Sequence, residues 1–161
     1  MKYFDILKKN IELKKTVKGN SYKIAILSNL TIVEIKEILE FYLRDKKINV
    51  QVDIADFDNI VQESIKYSNY DAVIIFWESI NFIDGLHSEQ LIISNEKLIQ
   101  IQTKVKNEIE LVSKNLKDKS IVIFNKFSSI ISHTNSIVES SLNKISKHLN
   151  VHLESIKNKN T

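Results

Sequence analysis

Hydrogen-bonding and ionisable side chains follow the short apolar segments of this sequence, and they are the residues best suited to chemistry. Eight of them are candidates for ligand binding: Ser28, Asn29, Thr31, Asp56, Trp77, Glu78, Ser79 and Asn125. Hydroxyl and amide groups beside helix N-terminal N–H groups could hold an oxyanion or a phosphate. An apolar neighbour such as Trp77 could raise the pKa of the Glu78 carboxyl toward the range of a general acid.

Ser28 and Thr31 are the candidate catalytic hydroxyls, and either would need a base within reach. The histidines that could serve are His87, His133, His148 and His152. His148 and His152 have the i, i+4 spacing of two metal ligands on a helix, but without a third ligand we expect a solvated pair and no metal site. The run Asp84 to His87 matches the Asp-x-x-His signature of serine esterases but lies too early in the chain, so we treat it as a chance match.

Structural roles compete with the chemical ones. Thr31 lies three residues before Glu34, which predicts a capping box at the start of a helix. Asp56 or Asp58 could cap a short helix in the same way. Trp77 ends an apolar segment, where a tryptophan is more often a packing residue than part of an active site.

Composition excludes several classes of protein. The 161 residues include 23 basic and 20 acidic side chains with a single arginine, Arg44, which argues against a nucleic-acid reader. Two isolated glycines exclude a dinucleotide-binding fold or a P-loop, and the absence of cysteine excludes any thiolate site. No apolar run is long enough to span a membrane and the first residues do not resemble a signal peptide, so we expect a cytoplasmic protein.

The amino-terminal segment is rich in lysine, and we expect it to be a solvated helix face or a docking surface for an acidic partner. Its lysines are Lys8, Lys9, Lys14, Lys15 and Lys18. Phe4, Leu7 and Ile11 recur among them with helical spacing.

Strands and helices alternate along the rest of the chain. The predicted strands are 22–28, 48–54, 71–77 and 119–124, with a fifth beginning in Asn150–Leu153 as an option. The predicted helices are 31–45, a short one near residue 60, 94–116 and 135–149. Ile35, Ile38, Leu39 and Tyr42 share one face of the first of these, and Leu98, Ile101, Val105, Ile109 and Val112 form the stripe of the long one.

This alternation predicts a three-layer αβα sandwich around a mainly parallel sheet of four to five strands. We expect one domain over residues 1–161, with a helix and connector over 1–20, a sheet core over 22–153 and a frayed tail over 154–161. The carboxyl ends of parallel strands meet at one edge of the sheet, so the candidate residues should gather there.

The order of these features resembles that of a known family. Three segments carry the likeness: a strand ending in Ser28-Asn29-Leu30-Thr31, the run Ala55–Asp58 leading to Gln62-Glu63, and the strand Tyr70–Ile75. They resemble the amino-terminal domain of FkbH-like proteins, of haloacid-dehalogenase subfamily IIIC, over roughly residues 1–151.

The resemblance implies an SGNH-hydrolase-like domain with a flavodoxin-like strand order. In that family a haloacid-dehalogenase domain follows, with a nucleophilic aspartate in Asp-x-Asp-x-Thr and magnesium, and members load glyceryl units onto acyl carrier proteins or serve polyketide and surface-glycan pathways. No Asp-x-Asp-x-Thr occurs in this chain. We therefore expect no cofactor in this domain, and magnesium only in the absent one.

The SGNH pattern is also incomplete here. Its Gly-Asp-Ser corresponds to Ser28-Asn29-Leu30, with leucine at the nucleophile position, and its Gly-x-Asn-Asp falls near Trp77–Ser79 without matching. We expect a non-catalytic accessory domain that positions a substrate or a carrier protein for a neighbouring catalytic domain, with an acyl carrier protein or the adjoining catalytic domain as its possible partner. The alternatives are a divergent SGNH-type ester hydrolase and a degenerate receiver-like signalling domain; neither nucleic acid nor membrane is an expected partner.

Overall fold

The structure, a computed structural model, describes residues 2–82, 93–116, 121–128 and 141–159. In these ranges strands alternate with helices, as the sequence predicts. The helices are α1 (Tyr3–Thr16), α2 (Val33–Asp45), α3 (Ile60–Lys66), α4 (Asn95–Asn115) and α5 (Ser141–Lys159), with one 3₁₀ turn at Ser79–Asn81. The strands are β1 (Tyr22–Ser28), β2 (Val50–Ile54), β3 (Ala72–Phe76) and β4 (Ile121–Phe124).

The strands form one parallel sheet in the order β2-β1-β3-β4. Its register pairs Ile24 with Val52 on one side and with Ala72 on the other. Helix α2 packs on one face of the sheet with α1 outside it, while α3, α4 and α5 cover the other face. The predicted three-layer α/β sandwich is therefore confirmed, with four strands in the described residues.

The larger core lies between the sheet and the long helix α4. The predicted stripe of α4 is buried in full: Leu98, Ile101, Val105, Ile109 and Val112. The side chain of Ser94 caps this helix by accepting a hydrogen bond from Lys97 N at 3.2 Å, as predicted. No helix in the described ranges combines the length and apolarity that crossing a membrane requires.

The predicted caps of the two shorter helices were wrong. Helix α2 begins at Val33, so the residue at its N-cap position is Ile32 and not Thr31. The Ile32 side chain is buried in the core and cannot cap the helix by hydrogen bonding. Helix α3 begins after Asn59 rather than at an aspartate. Asp58 has a left-handed backbone (φ 57°) and its N–H donates to Ser28 O at 3.1 Å, so it belongs to the preceding turn.

The end of the chain also differs from the prediction. Helix α5 continues to Lys159, so Asn150–Leu153 is helical rather than a fifth strand, and the tail predicted to fray from residue 154 is helical to residue 159. Leu149, Leu153 and Ile156 continue an apolar stripe that packs against the core, and Asn150 accepts a hydrogen bond from Phe127 N at 2.8 Å and donates to Phe127 O at 2.9 Å. His148 and His152 both lie on this helix.

The outer edge of β2 is closed by side chains of α2. Arg44 Nη2 donates to Val50 O at 2.8 Å, and Glu40 Oε1 accepts from Val52 N at 3.1 Å. These two backbone groups point away from β1, because Asn49 and Ala55 bond to Tyr22 and Ile26 of β1 and alternate residues of a strand point to opposite sides. A carboxylate and a guanidinium thus take the place of a neighbouring strand.

This pair is itself buried and joined to α1. Arg44 Nη1 contacts Glu40 Oε2 at 2.9 Å and donates to Asn10 Oδ1 at 2.6 Å. The sequence pattern missed this face: Tyr42 is exposed, whereas Glu40, Phe41 and Arg44 are the buried residues of α2. On α1, likewise, Phe4 and Ile11 are exposed and Ile6 and Asn10 are buried.

Strand β4 forms the opposite edge of the sheet. Strand β4 pairs with β3 on one side, and among the described residues no strand pairs with its other side. Its apolar side chains face solvent: Ile121, Val122 and Ile123 are 61%, 41% and 53% exposed. The two edges of the sheet therefore differ: buried polar side chains bond the β2 edge, whereas apolar side chains of β4 face solvent.

Candidate functional site

The strand order reverses between β1 and β3, because the chain moves from β1 outward to β2 and then back to β3 on the other side of β1. Loops after the two central strands diverge at such a point and leave a crevice. We call the last residue of β1 and the loops that follow β1, β3 and β4 the rim: residues 28–32, 77–82 and 125–128.

Asn29 joins the end of β1 to the end of β3. Its Nδ2 donates to Glu78 O at 3.0 Å, and its Oδ1 accepts from Glu78 N at 2.8 Å. Its own carbonyl accepts from Asn81 Nδ2 at 2.7 Å. The buried Asn29 side chain therefore pairs with the backbone of Glu78 through both its amide donor and its amide oxygen, as a neighbouring strand would.

Asn125 makes the matching connection between β3 and β4. Its Oδ1 accepts from Trp77 N at 2.7 Å, while its Nδ2 lies 3.3 Å from Trp77 O and 3.1 Å from Glu78 Oε1. Two asparagines thus fix the backbone of Trp77 and Glu78 from opposite sides.

Ser79 connects the rim to α5. Its hydroxyl donates to Ser128 O at 2.9 Å and lies 3.1 Å from Ser146 Oγ. The side chain is fully buried, so this hydroxyl has a structural partner on both sides and no path to solvent.

Glu78 is the ionisable group at the centre of the rim. Burial raises the pKa of its carboxyl above the usual value, and hydrogen bonds from Ser128 oppose that shift. Ser128 Oγ donates to Glu78 Oε2 at 3.2 Å. The direction of the shift is the one that the Trp77-Glu78 pair predicts, and its cause is burial.

Three of the predicted residues stand apart from this network. Ser28 Oγ accepts a hydrogen bond from Leu30 N at 2.8 Å and the residue is 4% exposed, so it closes its own turn. Thr31 and Asp56 are exposed, and neither side chain forms a hydrogen bond with any residue in the described ranges. The catalytic roles considered for Ser28 and Thr31 remain predictions.

The two described histidines lie on α5. His152 Nε2 is 3.4 Å from Glu110 Oε1 of α4, and His148 is exposed. His152 is half-buried against α4 rather than solvated, so the expectation of a solvated pair was wrong for this residue. His87, His133 and the Asp84–His87 run lie outside the described residues.

Aromatic rings fill the space beneath the rim. Trp77 stacks against Phe124 with centroids 6.2 Å apart and meets Phe82 edge-on at 6.2 Å, while Phe127 lies 5.5 Å from Phe82. Trp77 is 5% exposed, so packing is its observed role.

A crevice of about 300 Å³ opens beside these rings, between α3, the 3₁₀ turn and α4. Its polar lining includes Asp58, Asn81, Lys104 and Glu108. Lys104 Nζ lies 3.8 Å from Glu108 Oε1, and burial raises the Glu108 pKa more than this lysine lowers it. Sequence reasoning did not select Asn81, Lys104 or Glu108; the only signal was the i, i+4 spacing of Lys104 and Glu108 on α4.

Metal ligands do not assemble at the rim. Within the described part of the chain, no group of three or more histidine, aspartate or glutamate side chains could hold a metal ion. The chemistry that the rim supports directly is hydrogen bonding by amides, hydroxyls and one carboxyl.

Comparison with known proteins gives a structural match. Neither the family models nor the curated proteins contain a match to this sequence. A crystal structure of the N-terminal part of the protein BF1531 from Bacteroides fragilis, described as containing a phosphatase domain complexed with Mg, is similar with a TM-score of 0.72. The identity is 14%, and the match covers 99% of this chain but only 43% of that one. The chain is thus similar in fold to less than half of a phosphatase-domain protein.

Proposed function

We propose that this chain is a non-catalytic positioning domain of an FkbH-like biosynthetic enzyme. It would hold a substrate or an acyl carrier protein for a haloacid-dehalogenase domain that transfers glyceryl or related acyl units in polyketide or surface-glycan pathways. Support comes from the motif order of residues 22–75 and from the fold shared with part of a phosphatase-domain protein.

The observation that carries the proposal is that the rim side chains form hydrogen bonds with the rim itself. The side-chain amides of Asn29 and Asn125 form hydrogen bonds with the backbone of Trp77 and Glu78. Ser28 closes a turn through its contact with Leu30 N, and within the described residues no imidazole hydrogen-bonds it. A serine hydrolase needs a hydroxyl and a base in contact. A rim tied together in this way is suited to presenting a rigid surface.

The crevice beside the rim is where we propose that a small polar group is held. At about 300 Å³ it lies at the lower end of the range for small-molecule pockets. Lys104, Asn81 and two carboxylates offer donors and acceptors to a hydroxylated ligand.

The direct test is carrier binding by the intact chain. Purified protein is immobilised and exposed to an acyl carrier protein at about 50 mM and about 500 mM salt, a range that screens surface charge progressively. We expect retention at low salt and loss at high salt. Failure of carrier proteins to bind the chain at low salt would contradict the proposal.

A second arm separates the enzymatic alternatives. Aryl and acyl esters are offered to the wild type and to a Ser28→Ala, Thr31→Ala double variant, and magnesium-dependent acyl-phosphate labelling is tried in parallel. We expect neither hydrolysis nor labelling. Hydrolysis that the double variant abolishes would favour a divergent ester hydrolase, and labelling would favour a receiver-like domain.

A further inference from the structure

Positive charge is concentrated at the amino terminus. Residues 2–18 contain six lysines against Asp5 and Glu12, a net charge of +4, whereas the whole chain carries +3. All six lysines are exposed. Two apolar residues of the same helix, Phe4 and Ile11, are also exposed, at 71% and 60%. This combination of lysines and exposed apolar residues is not required by packing.

A groove of about 830 Å³ lies between α1, α2 and the outer edge of β2. Its apolar lining comprises Leu7, Ile11, Val17 and Val50, and its lysines are Lys14, Lys18 and Lys36. Glu40 and Arg44 form a paired and buried floor, so their charges offset one another. Glu37 and Asp53 add two carboxylates on the α2 and β2 side, which leaves the α1 side as the basic wall.

We infer that this groove binds an acidic helical segment of a partner protein. Its carboxylates would meet Lys14 and Lys18, and its apolar side chains would lie against Leu7 and Ile11. This deepens the proposed function by naming the docking surface, and it rests on that function only for the identity of the partner.

Two features select a helix of a protein over other occupants. An extended strand cannot add to β2 at the groove, because Val50 O and Val52 N are already bonded to Arg44 and Glu40. A lipid surface is flat, whereas the groove is concave and α1 is fixed by the bond from Arg44 to Asn10. Opposite charge across such a contact speeds association and sets orientation.

The experiment uses the full chain and a synthetic amphipathic peptide of about four helical turns, long enough to form a helix on binding. The peptide carries glutamates on one face and leucines on the other; a second peptide replaces each glutamate with lysine. Calorimetric titration at about 50 mM salt should detect the acidic peptide only, with affinity falling about tenfold or more at about 500 mM.

Variants locate the contact. Lys14→Glu with Lys18→Glu should weaken acidic-peptide binding by about tenfold or more, whereas Lys114→Glu with Lys144→Glu makes the same charge change on α4 and α5 and should alter it less than about twofold. Lys14 and Lys114 both lie in last helical turns, so their effects on the helices are matched. Ile11→Ser should weaken binding about threefold or more while leaving the salt dependence unchanged.

Each remaining outcome counts against the inference. Equal losses of peptide affinity in the two charge-reversed variants would show that binding depends on overall charge rather than on the groove. Binding of both the acidic and the basic peptide would show that it depends on apolar contact. Binding to anionic vesicles but not to the peptide would make α1 a membrane-surface helix. If the groove variants bind a carrier protein normally, the groove is excluded while the proposed function stands; if no carrier binds the wild type, the proposed function fails independently of the peptide result.

Discussion

The two edge strands of the sheet, β2 and β4, differ in what bonds their outward-facing backbone groups. At β2, the outward carbonyl of Val50 and the outward N–H of Val52 are bonded by Arg44 and Glu40. At β4, Ile121 and Val122 face solvent, and in the described ranges no strand pairs with its outer side. An uncovered apolar edge is a template for pairing with another chain, and charge is one way to close it.

The difference shows where the molecule depends on polar chemistry for its stability. The β2 edge is closed by a buried ion pair, which is expensive to break once one partner is lost. The β4 edge depends on ordinary pairing with β3 and on Asn125 at its carboxyl end. Substitutions at the first edge should therefore alter stability, and substitutions along the second should mainly alter association.

Among the substitutions that leave the protein folded, the largest effect is expected from Arg44→Met. It leaves Glu40 buried without a counter-charge and removes the donor to Val50 O, so the free energy of unfolding should fall by about 3–5 kcal/mol. Urea unfolding followed by circular dichroism measures it. The Glu40→Gln, Arg44→Met double variant removes both charges and should recover part of the loss. A loss below about 1 kcal/mol in the single variant would show that the edge does not need the pair.

Asn125→Ala should have the next largest effect. The change removes the acceptor for Trp77 N and the donors to Trp77 O and Glu78, so we expect a loss of about 1–3 kcal/mol in the free energy of unfolding. Asn107→Ala, at an exposed position on α4, is the control and should change it by less than about 0.5 kcal/mol. Equal effects would mean that β4 is held by its strand pairing alone.

Tyr70→Phe tests a polar contact on the β2 side. Tyr70 OH donates to Asp53 Oδ2 at 2.7 Å, and this bond is the main reason that the Tyr70 pKa is raised to about 12. A group whose pKa is raised on folding stabilises the protein fully below its ordinary pKa of about 10, and that contribution is lost as the pH rises toward the folded value.

The wild type should therefore lose stability between about pH 10 and about pH 12, and Tyr70→Phe should make that decline shallower at a cost of about 1 kcal/mol near neutral pH. Urea midpoints across this range measure it. Tyr42→Phe, on the exposed face of α2, is the control. A decline that is identical in wild type and Tyr70→Phe would remove Tyr70 as its source.

The smallest effect on stability is expected along β4. Val122→Lys changes a side chain that is exposed, so the free energy of unfolding should move by less than about 0.5 kcal/mol. Aggregation on heating, followed by light scattering, should decrease because a lysine on an open edge opposes pairing. Val52→Lys, at the fully buried valine of the other edge, should instead prevent stable folding. A large stability loss at Val122 would mean that β4 is covered.

Much of the fold could be predicted because it depends on local patterns. The apolar strands, the stripe of α4 and the cap at Ser94 all follow from neighbours a few positions apart. The ion pair at β2 could not, since Arg44 and Glu40 act on Val50 and Val52 through the crossing of α2 over the sheet. The contact that joins α5 to the rim is likewise long-range, because Asn150 bonds the backbone of Phe127 from 23 positions away.

The candidate site divides in the same way. Parallel strands bring their carboxyl ends together, so the sequence could place Asn29, Glu78 and Asn125 at one edge, and hydrogen bonds join them there. Thr31 and Asp56 were selected by the same rule, yet exposed turns carry them away from the network. Lys104 and Glu108 reach the crevice from the side of α4, a direction that no strand-end rule indicates.

The position of Trp77 gives this molecule a built-in spectroscopic reporter. It is the single tryptophan of the chain, held among phenylalanines beside the crevice and bonded through its backbone to Asn125. Indole fluorescence of the unlabelled protein therefore originates at one place, next to the loops that any ligand of the crevice must touch. Changes in emission wavelength or quenching report occupancy there, without a dye and without altering a residue.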